Sequence, residues 1–218
     1  MQSIEMYGAR YYAAGEHAIE ASPVAALYSY RLHVGRHELD IVAGDCAFIF
    51  GTKRHGRDLG VHRVRGPVQI ESDDFACVIR GYAPDNCSRS LTNGMLLPYV
   101  NGCATKQLFP PDRPGDPTWQ QLIIPPYSKE QAHHIHSTAR VVYVLAGEGE
   151  SIVGMEGKEH RNPLTPGMVC VLDPMCPHHF ETKGNPLNVL PVHVWSSTPA
   201  EWNHPMFHGT HLTDQGMS

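Results

Sequence analysis

The feature that most limits this chain is its punctuation. Short runs of alternating apolar and polar residues are broken by Gly or Pro, at the spacing of about 8–12 residues that marks an all-β sandwich or barrel. Such runs fall at 25–32, 38–42, 46–50, 61–64, 68–71 and 75–82, with turns at Gly35, Gly44-Asp45 and Gly51. They resume at 118–124, 132–136, 140–145, 151–153, 168–172, 179–182 and 187–195. The chain holds 20 Gly and 18 Pro, 38 of its 218 residues, above the usual ~12% and in keeping with many turns. A short helix is predicted at 4–14, although Gly8 and Gly15 weaken it. Between the two sets of runs, residues 83–118 read as an interruption, because Pro110, Pro111, Pro114 and Pro117 remove backbone donors. The expected organisation is an accessory β region at 1–95, a Pro-rich arm at 96–118, a barrel at 119–200 and a tail at 201–218.

Composition excludes several roles. A net charge of −5 leaves no basic excess to neutralise phosphates, so nucleic acid is not an expected partner. No apolar run approaches the ~18 residues of a membrane span. Met1-Gln2-Ser3-Ile4-Glu5 lacks the basic and apolar regions of a secretory signal. The 6 cysteines are irregularly spaced without a C-x-x-C, which suits a reduced, cytoplasmic protein.

The 15 histidines raise the question of whether any converge. His133-His134-Ile135-His136 lies in a predicted strand, where side chains two apart share a face. His134 and His136 therefore point together, and two imidazoles on one face can chelate one ion. Downstream stand Arg140, Gly147, Gly167, Asp173, Met175, Cys176 and His178.

That series resembles the two motifs of the cupin family. His134, His136 and Gly147 fall on the first motif, and Gly167 and His178 on the second; Ser128, Arg140, Asp173, Met175 and Thr182 depart from it. The resemblance implies a jelly-roll barrel in the C-terminal half, with His134, His136 and His178 as ligands of a buried divalent transition metal. Fe(II) is the first expectation, with Mn, Ni, Cu or Zn as alternatives. The N-terminal half reads as a degenerate, cupin-like copy, a bicupin-like arrangement, because Gly44 precedes His55 by the interval that separates Gly167 from His178. Extra strands wrapped on a single barrel are the other reading.

Arg140 stands where the family carries a metal-binding glutamate, and a guanidinium cannot ligate a metal. At about 5 Å from a divalent ion, with an effective dielectric near 20, it would be repelled by roughly 7 kcal/mol. Such a site favours an anion, so Arg140 is the expected catalytic and substrate-binding group, gripping a carboxylate. The alternative is that it pairs with Asp173 or Glu148. Cys176 and His193 are further candidates for lining the substrate pocket, and Glu130 and His179 are reserve metal ligands. The leading functional expectation is an Fe(II) oxygenase acting on a small anionic chelating molecule, working as a homodimer. A lyase or isomerase using the ion as Lewis acid is the alternative, and a non-catalytic small-molecule-binding barrel the third.

Overall fold

In a computed structural model the chain is almost entirely β. The structure describes residues 7–21, 28–51, 60–92, 96–195 and 210–211. In the first half the strands are β1 (Ala9–Tyr12), β2 (His17–Ala21), β3 (Ser29–Val34), β4 (His37–Ile41), β5 (Cys46–Gly51), β6 (Gly60–Arg65), β7 (Val68–Ser72), β8 (Phe75–Arg80) and β9 (Cys87–Ser90). Then come β10 (Leu97–Pro98), β11 (Ala104–Phe109), β12 (Thr118–Ile124), β13 (His134–Ile135), β14 (Thr138–Gly147), β15 (Gly149–Val153), β16 (His160–Leu164), β17 (Val169–Leu172), β18 (His178–Glu181), β19 (Leu187–Trp195) and β20 (Thr210–His211).

The second half is a two-sheet barrel. Its large sheet runs β1-β17-β14-β19-β12-β11-β10 and its small sheet β16-β15-β18-β13-β20. The first half repeats the plan in shortened form, with a sheet β2-β3-β8-β5-β6-β9 facing the pair β4-β7. The order β3-β8-β5-β6 parallels β12-β19-β14-β17, and β4-β7 parallels β13-β18. The residues that would match β15 and β16 fall at 52–59, outside the described residues.

This correspondence corrects one detail of the internal copy. Gly44 lies between β4 and β5, so it matches the turn before β14 rather than the turn before His178. The counterpart of that later turn is Gly66-Pro67, between β6 and β7. His55 lies outside the described residues. On β4 the inward side chains are Leu39 and Ile41, packed with Ala47, Ile49, Ala76 and Val78. The first barrel is therefore closed by hydrocarbon where the second carries imidazoles.

The two halves meet through the backs of their large sheets. Phe48 stacks on Trp119 at 5.5 Å and Phe75 lies 5.2 Å from Tyr143. Tyr30, Leu32, Phe50, Val141, Val171 and Val192 fill the same apolar layer. Strand β14 is thus covered on both faces, which is why 140–145 reads as a nearly continuous apolar run. Ala139, Val141 and Tyr143 enter this layer, while Val142 and Val144 enter the barrel interior.

Two sequence expectations fail for identifiable reasons. The predicted helix at 4–14 is instead strand β1 over its described residues, antiparallel to β17 with Tyr11 opposite Cys170. Pairing with an open strand edge, and the Arg10–Asp173 ion pair at 2.5 Å, override the weak local helix signal. The interruption at 83–118 also holds strands, since β10 and β11 extend the large sheet beside β12. Only 110–117, where four prolines fall, runs as connection between β11 and β12. Gly147 closes β14 at φ +82°, and a Cβ there would lie 1.9 Å from the Pro186 carbonyl oxygen, so only glycine fits.

Candidate metal centre and its pocket

Strand alternation and cross-strand register assemble the site. His134 on β13 sits directly opposite His178 on β18. His136 follows on the same face, in the turn leading to β14. One ring nitrogen from each of His134, His136 and His178 lies within 4.8 Å of the others. Ring centroids are 4.5 Å apart for His134 and His136, and 4.6 Å for His134 and His178.

The backbone fixes the tautomers. His134 Nδ1 donates to the Ala132 carbonyl at 2.8 Å, and His178 Nδ1 to the Cys176 carbonyl at 2.7 Å. A carbonyl can only accept, so both rings carry their proton on Nδ1 and turn a bare Nε2 inward. His136 Nε2 is buried without a hydrogen-bond partner. Burial first, then neighbouring charge, pushes the His136 and His178 pKa values far below the ordinary range, so these imidazoles are neutral. Neutral rings with inward lone pairs and carbonyl-anchored Nδ1 atoms are the donor set a divalent transition metal requires.

Arg140 projects from β14 into the same space. It is 8% exposed, and its Nη1 donates to His178 Nε2 at 3.4 Å. Neither alternative partner named from sequence reaches it: Asp173 is paired with Arg10, and Glu148 accepts from Asn185. Instead Glu130 approaches, with Oε1 4.0 Å from Arg140 Nη1 and 3.9 Å from His134 Nε2. Glu130 is 1% exposed, and burial raises its carboxyl pKa to about 7 against the lowering influence of Arg140.

Of these groups, His136, Arg140 and Glu130 line a cavity of about 460 Å³, with His134 and His178 packed behind His136. Its walls include Thr105, Gln107, Gln120, Gln131, Thr138 and His193; Leu122, Phe180 and Pro191 are the apolar exceptions. His193 stands opposite Arg140 across the β14–β19 ladder, so it lines the pocket as expected from sequence. Pro191 cannot donate to the ladder, and Gln120 and Gln121 opposite it have no registered partner on β19. Gln120 and Pro191, on either side of that gap, both line the pocket.

Two candidates lie elsewhere. Cys176 packs in the apolar cluster with Val153, Cys170 and Leu172, outside the pocket lining, and burial pushes its thiol up to about 12. His179 points to the opposite face of β18, where it meets His133 Nδ1 at 2.7 Å and Glu181 at 2.8 Å. Sequence reasoning missed the amide wall of Gln107, Gln120 and Gln131. The one available signal was a strand pattern that places glutamines where apolar residues would be expected.

Comparison with known proteins agrees with this architecture. Residues 121–193 match the family model of the cupin domain. An IolB-like protein from Salmonella typhimurium superposes with a TM-score of 0.63 at 10% identity, covering 92% of this chain and 94% of that one. YlbA from E. coli gives 0.59 at 12% identity, covering 92% and 97%. A putative glyoxylate-induced protein from Pseudomonas aeruginosa gives 0.54 at 12% identity, covering 90% and 83%. Identities this low speak to the fold alone, and coverage of this extent means that the pair of barrels is shared. No curated protein matches the sequence. Residues 121–193, which carry the three histidines, match the cupin domain, and the barrel they belong to has the cupin fold.

Proposed function

We propose that this chain is a divalent-metal-dependent enzyme acting on a small, polar, anionic molecule. His134, His136 and His178 are the metal ligands in this reading, and Arg140 anchors a carboxylate or similar oxyanion. The observation that carries it is the convergence of His134, His136 and His178 beside the buried Arg140 guanidinium, with His136 and Arg140 lining one pocket. A buried cation not held by a close hydrogen-bonded acid is costly, and an incoming anion relieves that cost.

The ion supplies Lewis acidity to an oxygen of the bound substrate. Arg140 fixes the anionic end, and the amides of Gln107 and Gln120 orient neutral polar groups along the wall. His193, whose ring lies 6.5 Å from that of His136, is placed to donate or accept a hydrogen bond beside the cluster. Polar side chains such as Gln107, Gln120 and Thr138, which share the lining about evenly with apolar surface, support a lyase, isomerase or hydrolytic reaction on a hydrated substrate. An Fe(II) oxygenase, placed first from sequence, becomes the second reading. It is supported by a set of only three histidines, which would leave coordination positions for substrate and dioxygen on an ion they held.

Metal analysis of the purified protein, followed by Fe(II) reconstitution and dioxygen uptake with small carboxylic acids, divides the two. Turnover without dioxygen consumption supports Lewis-acid chemistry, and stoichiometric uptake supports the oxygenase. Protein that takes up no divalent metal under any condition overturns both.

A further inference from the structure

The family motif places an acid on the strand where this chain has Arg140, yet the cavity is not without a carboxylate. Glu130 reaches it from the connection between β12 and β13. That connection is pinned to β18, the strand carrying His178. Glu130 N–H donates to the Phe180 carbonyl at 3.1 Å, and Thr182 N–H to the Ser128 carbonyl at 2.9 Å. Ser128 N–H in turn donates to Thr182 Oγ1 at 3.1 Å. The backbone that presents Glu130 is therefore held by the same strand as one of the histidines.

The side chain itself is under-satisfied. Glu130 Oε1 is buried with no hydrogen-bond partner, and Arg140 at 4.0 Å stands beyond hydrogen-bond range. Leaving a carboxylate oxygen in that state is expensive unless something positive joins it. His134 Nε2, also aimed inward, lies 3.9 Å away. Two ligands each ~2.1 Å from one ion can be at most about 4.2 Å apart, so Glu130 and His134 stand at ligand separation. Glu130 lies outside the group of three histidines whose ligand atoms are all within 4.8 Å of one another, and must close on the other two to join them. Glu130 is also the sole carboxylate among the residues lining the described cavity, where His136, His193 and Arg140 are the other ionisable nitrogen groups.

We infer that Glu130 is the fourth protein ligand of the metal, a carboxylate supplied from the β12–β13 connection in place of the acid that Arg140 has displaced from β14. This rests on the metal-centre reading above and adds to it a residue outside both sequence motifs. The arrangement puts acid and base on opposite approaches to the ion: Glu130 offsets its charge, and Arg140 is left for the substrate.

The test is Co(II) binding to metal-free protein, read by chelator competition and by the visible absorption of the bound ion. Glu130→Gln keeps the shape and removes the anionic ligand. Its Co(II) Kd is expected to rise at least about tenfold, with a changed absorption envelope. His136→Ala serves as the reference for a lost ligand. Wild-type affinity and an unchanged spectrum in Glu130→Gln, while His136→Ala is impaired, overturn the Glu130 assignment alone. Wild-type protein that binds no Co(II), or a His136→Ala protein that binds as well as wild type, overturns the metal-centre reading and this one with it. If Glu130→Gln fails to fold, Glu130→Asp carries the test. It keeps the charge but withdraws the oxygens by about one bond, ~1.5 Å, so an unchanged Kd there overturns the assignment and a raised one supports it.

Discussion

Replacing Arg140 with methionine should tighten metal binding while weakening anion binding, an opposed pair of effects that few substitutions share. Arg140 Nη1 is 3.4 Å from His178 Nε2. An ion bonded to that nitrogen at ~2.1 Å would lie within about 5.5 Å of Nη1. At an effective dielectric near 20 the repulsion between a single and a double charge at that distance is roughly 6 kcal/mol. Glu130, 4.0 Å from the same Nη1, offsets part of it. If only a third survives, ~2 kcal/mol remains, which is about a 30-fold gain in metal affinity. The guanidinium also donates to the lone pair that the metal needs, so its removal frees His178 Nε2. The assay is Co(II) competition against a chelator, then titration of the Co(II) protein with oxalate followed by absorption. Arg140→Met should lower the Co(II) Kd about 30-fold. It should raise the oxalate Kd about 10- to 100-fold, the range for losing a charge-assisted bond. A Co(II) Kd that is unchanged or higher refutes the electrostatic reasoning, and unchanged oxalate binding refutes the anchor role.

Further expectations follow from the same geometry. Gly147→Ala forces a Cβ to within 1.9 Å of the Pro186 carbonyl oxygen at φ +82°, and should cost about 2–4 kcal/mol of stability in chemical denaturation. The metal-free protein should lose stability as pH falls below 6.5. His136, His178 and His193 have folded pKa values pushed down by burial, so the unfolded chain takes up their protons first. Glu130, raised to about 7, works the other way, since its stabilisation is present at low pH and is lost as pH rises through 7. Three histidines outweigh one glutamate, leaving a net loss of roughly 1–3 kcal/mol per pH unit between 6.5 and 5, measurable as a falling Tm. Light scattering should return twice the chain mass of 24.2 kDa if the expected homodimer forms.

Much of this was legible because periodicity is local. The alternation of His134 and His136, the glycine at 147 and the interval from Gly167 to His178 each report on one strand or one turn. What the sequence hid is non-local. Nothing near Arg10 announces that its strand pairs with β17, because the partner lies 163 positions away. Glu130 looked like a stray acid, since only the hydrogen bond from its backbone to Phe180 turns it inward. Cys176 falls in the turn between β17 and β18, where strand alternation does not say which way a side chain points, and it packs in the apolar cluster. The internal copy was recognised but misaligned, since glycine spacing does not say which turn of a jelly roll it punctuates.

Strand β1 carries a consequence for how this protein is made and divided. It is synthesised well before its partner, and its place beside β17 exists only after residue 172 has been made. The second barrel is thus completed by a strand that must wait for a distant part of the chain. Cutting the chain within the Pro-rich connection at 110–117 would separate β1 from β17 and β11 from β12. The isolated cupin domain would then expose two bare strand edges, the usual template for edge-to-edge aggregation. The barrel is the unit that the family model matches, but pairings across the connection interlace it with the first half.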